Sequence, residues 1–220
     1  MDLHATPPTS TSSDSALAAA LAADLDTTFE RLVVEQQDRL YTIALRMLGD
    51  ARDAEEAAQD AFVRAYRALA GYGAERTREL RLRGWLTTIL LNVCRNRVRR
   101  PGPALLAIDR RGPGDEPAAS DHLASTDVGA SPHDAALRRE AAVRWARLVT
   151  ALPPLYRAAV VLRHVDGLSY AEMSVALGKP EGTLKAQVHR GIVMLRAAAE
   201  PFEDLDTPRA ARTNVQEMTA

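Results

Sequence analysis

SYAEMSVALGKPEGTLKAQVHRGIVMLR, residues Ser169 to Arg196, is the stretch that decides the fold. It contains two segments of helical apolar periodicity parted by Leu177-Gly178-Lys179-Pro180. Ser169 followed three residues later by Glu172 is a capping box, in which each residue satisfies the other's backbone N–H. Gly178 suits a helix stop. Pro180 suits a helix start, where its missing N–H costs nothing. Leu168, Met173, Leu177, Val188 and Ile192 are spaced to pack the two helices together. Two helices on a short glycine-containing turn form a helix-turn-helix. On the second helix Thr183, Lys185, Gln187, His189 and Arg190 are expected to face outward. Such groups bond phosphates or base edges, and the N-terminal end of this kind of helix enters the major groove. The competing reading is a plain helical hairpin with a solvated basic face.

Further upstream the chain keeps the same character. Asp26-Thr27-Thr28 offers N-caps for a helix from near Phe29 to Met47, ended by Gly49-Asp50. Asp53 is expected to cap the next helix, with Ala57, Ala61, Phe62, Ala65 and Leu69 as its apolar stripe. After Gly71-Tyr72-Gly73 comes a charged stretch, then a third helix from Trp85 to Arg100, stopped by Pro101-Gly102-Pro103. Trp85 opens an apolar stripe, which favours core packing over base stacking. A helix is expected from about Asp134 to Leu152 and another from Leu155 to Val165. The expected organisation is all-α. A disordered tail (1–24), in which Ala16–Ala23 could form a short helix, precedes a helical domain (25–100), a flexible linker rich in Pro, Gly, Asp, Ala and Ser (101–133), a helix-turn-helix domain (134–200) and a second tail (201–220).

Low aromatic content (5%) with abundant Ala, Leu and Arg favours helices over sheets. The net charge of −1 argues against a nucleic-acid partner only until it is divided. Residues 1–24 carry −3, 25–100 carry +3, 101–136 carry −4, 137–200 carry +5 and 201–220 carry −2. Both expected domains are basic, which suits contact with phosphates. The lone Cys94 precludes an internal disulfide and a multi-cysteine metal site, and reads as a small buried apolar side chain. No apolar run approaches the roughly 20 residues of a membrane span, and no secretory signal opens the chain, so a cytoplasmic location is expected.

From Leu152-Pro153-Pro154-Leu155-Tyr156-Arg157 through Asp166-Gly167-Leu168-Ser169-Tyr170-Ala171-Glu172-Met173 to Gly182-Thr183-Leu184-Lys185 and His189-Arg190-Gly191, the chain resembles region 4 of the extracytoplasmic-function sigma factors. These are small members of the bacterial sigma-70 family. Leu48-Gly49-Asp50 and the run Asp53 to Tyr66 resemble region 2, and Leu82-Arg83-Gly84-Trp85-Leu86-Thr87-Thr88-Ile89 with Asn92 the boundary of its −10-reading part. The resemblance implies a two-domain promoter reader. Thr183, Lys185, Ala186, Gln187, His189 and Arg190 would serve the −35 element. Ala186 and Met173 depart from residues common in the family, and Ala186 bears on which −35 sequence is read. Arg76, Arg78, Arg81, Arg83, Asn92, Arg95, Asn96 and Arg99 would serve the −10 element. Asp53, Glu56, Gln59, Asp60, Phe62 and Val63 would serve core polymerase, although Phe62 also suits the domain's own core. The implied partners are the β′ clamp helices and β flap of core RNA polymerase, promoter DNA and an anti-sigma factor, at the nucleoid.

No catalytic residues, metal site, cofactor, membrane insertion or small-molecule substrate are expected. The five histidines (His4, His122, His133, His164, His189) are dispersed, and no glycine-rich phosphate loop occurs. Two other classes remain as alternatives. A stand-alone helix-turn-helix regulator would carry an N-terminal sensing or dimerisation domain. An enzyme would need site residues that are not apparent here.

Overall fold

A computed structural model describes residues 10–99 and 132–206. Most of the expected linker, the extreme ends of both tails and the short helical piece expected near Leu105–Ile108 lie outside the described residues. Helices make up the described chain, with no strand among those residues.

The first half is a bundle. Helix α2 (Leu25–Leu48) begins at Asp24, whose carboxylate accepts the Thr27 N–H at 3.2 Å. The cap therefore sits before the expected Asp26–Thr28. Gly49, at φ 81°, ends α2 by donating its N–H to Leu45 O at 2.8 Å. Asp50 then caps α3 (Ala51–Ala70) through the Asp53 N–H at 2.8 Å. The cap expected at Asp53 thus falls on Asp50. The left-handed glycine reverses the chain at once, so the very next residue can start a helix. Ala54, Ala57, Ala61 and Ala65 are fully buried on one face of α3, small enough to let it lie close on α2 and on α5 (Leu82–Arg99).

Two segments of this half depart from expectation. Helix α1 (Ser10–Ala23) contains the short helix open to Ala16–Ala23 and extends it back to Ser10, over most of the stretch expected to be a disordered tail. Alanine is the best helix former, and Leu17, Ala18 and Leu21 bury one side of α1 against α2 and α4 (Ala74–Arg78). Helix α4 in turn lies inside the charged stretch that follows Gly71-Tyr72-Gly73. Its Thr77 is buried and donates its hydroxyl to Gly73 O at 3.2 Å.

The second half holds α6 (Pro132–Ala151), α7 (Pro154–Val160), α8 (Tyr170–Leu177) and α9 (Glu181–Asp206). Helix α9 continues past the expected end near Ala199. Between α7 and α8 the chain makes a π-helical turn, Val161–Val165, closed by Asp166 N–H to Val161 O at 2.9 Å. Gly191 of α9 lies so close to α7 that a Cβ there would fall 2.5 Å from Val160 Cγ2.

The halves share their core. Val149, Leu152, Val160, Val161 and Leu195 join the apolar cluster of the α1–α5 bundle. Leu91 of α5 sits instead among Ala159, Leu162, Leu168, Met173, Leu184 and Val188 of the second half. Arg157 reinforces the seam by donating to Met47 O at 2.5 Å, while also bonding Thr150 O and Leu152 O in its own half.

Candidate nucleic-acid interface

The helix-turn-helix is assembled by local chemistry. Ser169 Oγ accepts the Glu172 N–H at 3.2 Å, and Glu172 Oε2 accepts the Ser169 N–H at 2.8 Å. Burial on its own would raise the Glu172 carboxyl, but the Ser169 bonds and the nearby Arg83 and Arg81 outweigh it and hold the group below the usual glutamate value. Gly178, at φ 63°, closes α8 by donating to Ser174 O at 2.9 Å. Ser174 Oγ then donates to Lys179 O at 2.7 Å, which holds the turn. Leu168, Met173, Leu184 and Val188 lock the helices from inside.

That packing leaves Thr183, Lys185, Ala186, His189 and Arg190 exposed on α9. Gln187, expected among them, is buried, and its Oε1 accepts from Lys179 Nζ at 3.4 Å. Its position, three residues after Leu184 and next to Val188, turns it toward the α8–α9 turn. Lys185 Nζ lies 5.5 Å from the Tyr170 ring centroid, which draws this cation toward the start of α8.

A second polar stripe runs along α5. Asn92, Arg95, Asn96 and Arg99 recur at spacings of three and four, hence on one helix face, and all are exposed. Asn92 Oδ1 accepts from Arg95 Nη1 at 3.1 Å. Near the start of α5, Trp85 is half-buried against the bundle core, with its ring 6.2 Å from that of Tyr72. The Arg76 guanidinium caps this pair at 3.9 Å from the Tyr72 centroid. Arg78 and Arg81 are exposed.

Arg83 is placed differently from its neighbours. It bonds Asp166, by Nη2 to Oδ1 at 3.2 Å and also to the backbone oxygen, and its own N–H donates to Asp14 Oδ2 at 3.2 Å. Arg39 reaches the same carboxylate in a two-pronged pair, Nε to Oδ1 at 2.7 Å and Nη2 to Oδ2 at 2.8 Å. Arg39 Nη2 also donates to Thr87 Oγ1 at 2.6 Å. The Asp166 side chain has no solvent exposure, and its oxygens meet Arg39, Arg83 and Thr87 in place of water. Arg39, Asp14 and Asp166 carried no signal in the sequence for this site. Their partners lie up to 127 positions away, and Asp166 read only as a turn residue.

On α3, Asp53, Glu56, Gln59 and Val63 are exposed and Asp60 is half-buried, along the side opposite the alanine face. Glu56 accepts from Arg97 Nη1 at 3.0 Å and from Arg52 Nε at 3.3 Å, and the Arg97 bond is the main reason its carboxyl lies below the usual value. Asp60 is held by both prongs of Arg64 at 3.1 Å. Phe62 is only 8% exposed and belongs to the bundle core, so it can support this surface but not present itself on it. The sequence-expected residues thus lie exposed on α9, on α5, on α3, and on α4 with the link to α5; Arg83, Gln187 and Phe62 stand apart from them.

Residues 32–102 match the family described as Sigma-70 region 2, and residues 142–195 match Sigma-70, region 4. The ECF RNA polymerase sigma factor SigE of Mycolicibacterium smegmatis is 33% identical over 172 residues, 76% of this chain and 60% of that protein. The ECF RNA polymerase sigma factor SigW of Bacillus subtilis is 32% identical over 168 residues, 76% of this chain and 87% of that protein. The chain therefore spans most of the second relative but under two thirds of the first. Among solved structures, CnrH in complex with the cytosolic domain of CnrY matches with a TM-score of 0.58 at 23% identity, over 88% of this chain and 99% of that one. The sigma factor RpoE of Bartonella quintana, in complex with the anti-sigma factor NepR, matches with a TM-score of 0.56 at 20% identity, over 78% and 96%. At those identities the structural likeness speaks for the fold alone. The two region matches and the curated relatives say more: this chain belongs to the ECF sigma factors of RNA polymerase, a family that is not a class of enzymes.

Proposed function

We propose that the chain binds core RNA polymerase and directs it to promoters, with one domain for each promoter element. The observation that carries this reading is the pair of separate polar faces, α9 in one half and α5 in the other, in a chain that holds both sigma regions. Thr183, Lys185, Ala186, His189 and Arg190 would meet the −35 duplex. Lys185 and Arg190 supply charge-assisted bonds to phosphates or guanine edges. Arg76, Arg78, Arg81, Asn92, Arg95, Asn96 and Arg99 would meet the −10 element. There an opened strand needs a cationic track and a pocket for an unstacked base.

The α3 surface, acidic and centred on Asp53, Glu56, Gln59, Asp60 and Val63, would dock on a basic helical element of the polymerase such as the β′ clamp helices. The second domain would rest on the β flap. The chain itself would perform no covalent chemistry; RNA synthesis belongs to the polymerase. We place it in the cytoplasm with the nucleoid, under an anti-sigma factor that clamps both domains; among the described residues no helix is long and apolar enough to cross a membrane.

The test is promoter-specific transcription by core polymerase with and without the chain. Lys185→Ala with Arg190→Ala is expected to abolish −35-dependent initiation and to leave core binding largely intact. Tight, dimeric binding to palindromic DNA without any programming of polymerase would instead favour a stand-alone helix-turn-helix regulator.

A further inference from the structure

We propose that Asp14 is a positioning residue for the −10 element: from α1 it caps the first turn of α5, and so sets residues 78–85 for the opened DNA strand. The cap rests on geometry alone; its service to the −10 element rests on the promoter-directing function proposed above. Helix α1 lies ahead of residues 32–102, so the region 2 match assigns it nothing.

The start of α5 lacks a cap of its own. Leu82 is its first residue, and Arg81 stands where a helix asks for Ser, Thr, Asp or Asn. An arginine side chain only donates, so Arg81 cannot accept the free N–H groups of the first turn. It supplies its backbone oxygen, to the Trp85 N–H at 2.9 Å. The missing acceptor comes from 69 positions away, where Asp14 Oδ2 takes the Arg83 N–H at 3.2 Å. Arg83 is the second residue of α5, a place at which an N-cap side chain bonds. The carboxylate also answers the positive end of the helix dipole. Burial pushes the Asp14 carboxyl up, and Glu172 adds to the rise. Of the groups that oppose it, the Arg83 N–H comes first, ahead of the charges of Arg39 and Arg83.

Helix α1 fixes the other end of the stretch as well. Leu17, Ala18 and Leu21 pack it on α2 and α4. Helix α4 has five residues, far below the roughly 12–15 at which a helix stands alone, so it owes its order to packing. Residues 79–81 therefore run between two helix ends that α1 holds. Arg78 and Arg81 are exposed on this stretch, and Trp85 lies in the first turn of α5. Without Asp14 that first turn frays, and the spacing between these groups is no longer set. A single strand of DNA must then order them as it binds, and its affinity falls with the fraction of chains already in order.

The experiment uses the full chain, alone and bound to core polymerase. In the chain alone, amide hydrogen exchange at Arg83 reads the cap. Asp53, whose N–H is capped by Asp50, is the reference. In the holoenzyme the probe is the strand that the parent enriches most from a randomised pool of single-stranded DNA. Asp14→Ala should speed exchange at Arg83 about fivefold and weaken strand binding by up to about fivefold, the worth of one cap. Exchange at Asp53 and binding to core polymerase should not change. Asp14→Asn keeps the accepting oxygen and drops the charge, and should stay within about twofold of the parent in both readouts. Arg81→Ser added to Asp14→Ala offers a capping hydroxyl in line with α5, and should restore slow exchange at Arg83.

Equal exchange at Arg83 in the parent and in Asp14→Ala would overturn the cap. Asp14→Asn as defective as Asp14→Ala would overturn it too, since the charge and not the hydrogen bond would then act. Faster exchange with strand binding intact would overturn the positioning role. A parent holoenzyme that enriches no strand would refute the promoter-directing reading and the positioning role with it, while exchange at Arg83 would still decide the cap.

Discussion

Gly182 and Gly191 stand on the same helix, α9, and should respond to alanine in opposite directions. At Gly182 an added Cβ meets nothing within 4 Å. Alanine there removes freedom from the unfolded chain and should stabilise by about 0.4–1 kcal/mol. At Gly191 the Cβ would stand 2.5 Å from Val160 Cγ2 and 3.5 Å from Tyr156 Cβ. Carbon atoms rest at roughly 3.5–4.0 Å, so α7 and α9 must part by about 1 Å. Val160 is fully buried and its β-branched side chain has little rotamer choice, so the strain passes to the backbone. Overpacking of this kind costs about 1–3 kcal/mol, offset by about 1 kcal/mol of helix propensity gained over glycine.

The two variants should therefore differ by about 2 kcal/mol in stability. At roughly 2–4 °C per kcal/mol for a chain of this size, that is about 4–8 °C in Tm. Thermal melts followed by far-UV circular dichroism would measure it. Adding Val160→Ala to Gly191→Ala supplies the control. The double variant should be more stable than the sum of the single effects predicts, because the methyl group in conflict has gone. A Gly191→Ala chain that melts at or above the parent, or strict additivity with Val160→Ala, would refute the close approach of α7 and α9.

Two further predictions concern single groups. Ser169→Ala removes the oxygen that accepts the Glu172 N–H, and should cost about 1 kcal/mol, read as a lower urea midpoint with an unchanged denaturant slope. An unaltered midpoint would mean that water replaces the cap. The Cys94 thiol, raised to about 12 by burial, should react with iodoacetamide at pH 8 only as fast as the chain unfolds. An unfolded thiol loses its proton near 8.5, whereas the folded one keeps it. Stability should therefore be indifferent to this group below about pH 8 and fall as pH climbs from there toward 12. Native-state alkylation at the rate of a free thiol would count against that burial.

What the sequence disclosed well was whatever depends on neighbours. The capping box at Ser169 and Glu172, the stop at Gly178, the alanine stripe of α3 and the outward set on α5 follow from spacings of three and four along single helices. Gln187 escaped because a polar residue at the edge of an outward stripe is turned in by its bond to Lys179, which periodicity does not register. Helix α1 was legible only over Ala16–Ala23, because the Ser- and Thr-rich stretch before it has no strong amphipathic pattern. Its apolar contacts with α2 and α4 hold the helix in place. The Arg39–Asp166 pair was beyond reach for a different reason. It joins residues 127 positions apart, and locally Arg39 reads as one charge among many on its helix and Asp166 as a turn residue.

The π-helical turn at Val161–Val165 acts as a phase adjuster. An α-helix advances about 100° per residue, so the one residue accommodated by a wider turn decides which way everything after it points. Asp166 follows that turn directly, and the helix-turn-helix begins three residues later. Had the chain wound as a regular α-helix, the same carboxylate would project about a quarter-turn away from Arg39. A one-residue deletion within Val161–Val165 could thus preserve every side chain named in this structure and still misdirect the DNA-facing helix relative to the first domain. The spacing between Pro154 and Ser169 is in that sense an angular setting, with length as its only means of adjustment.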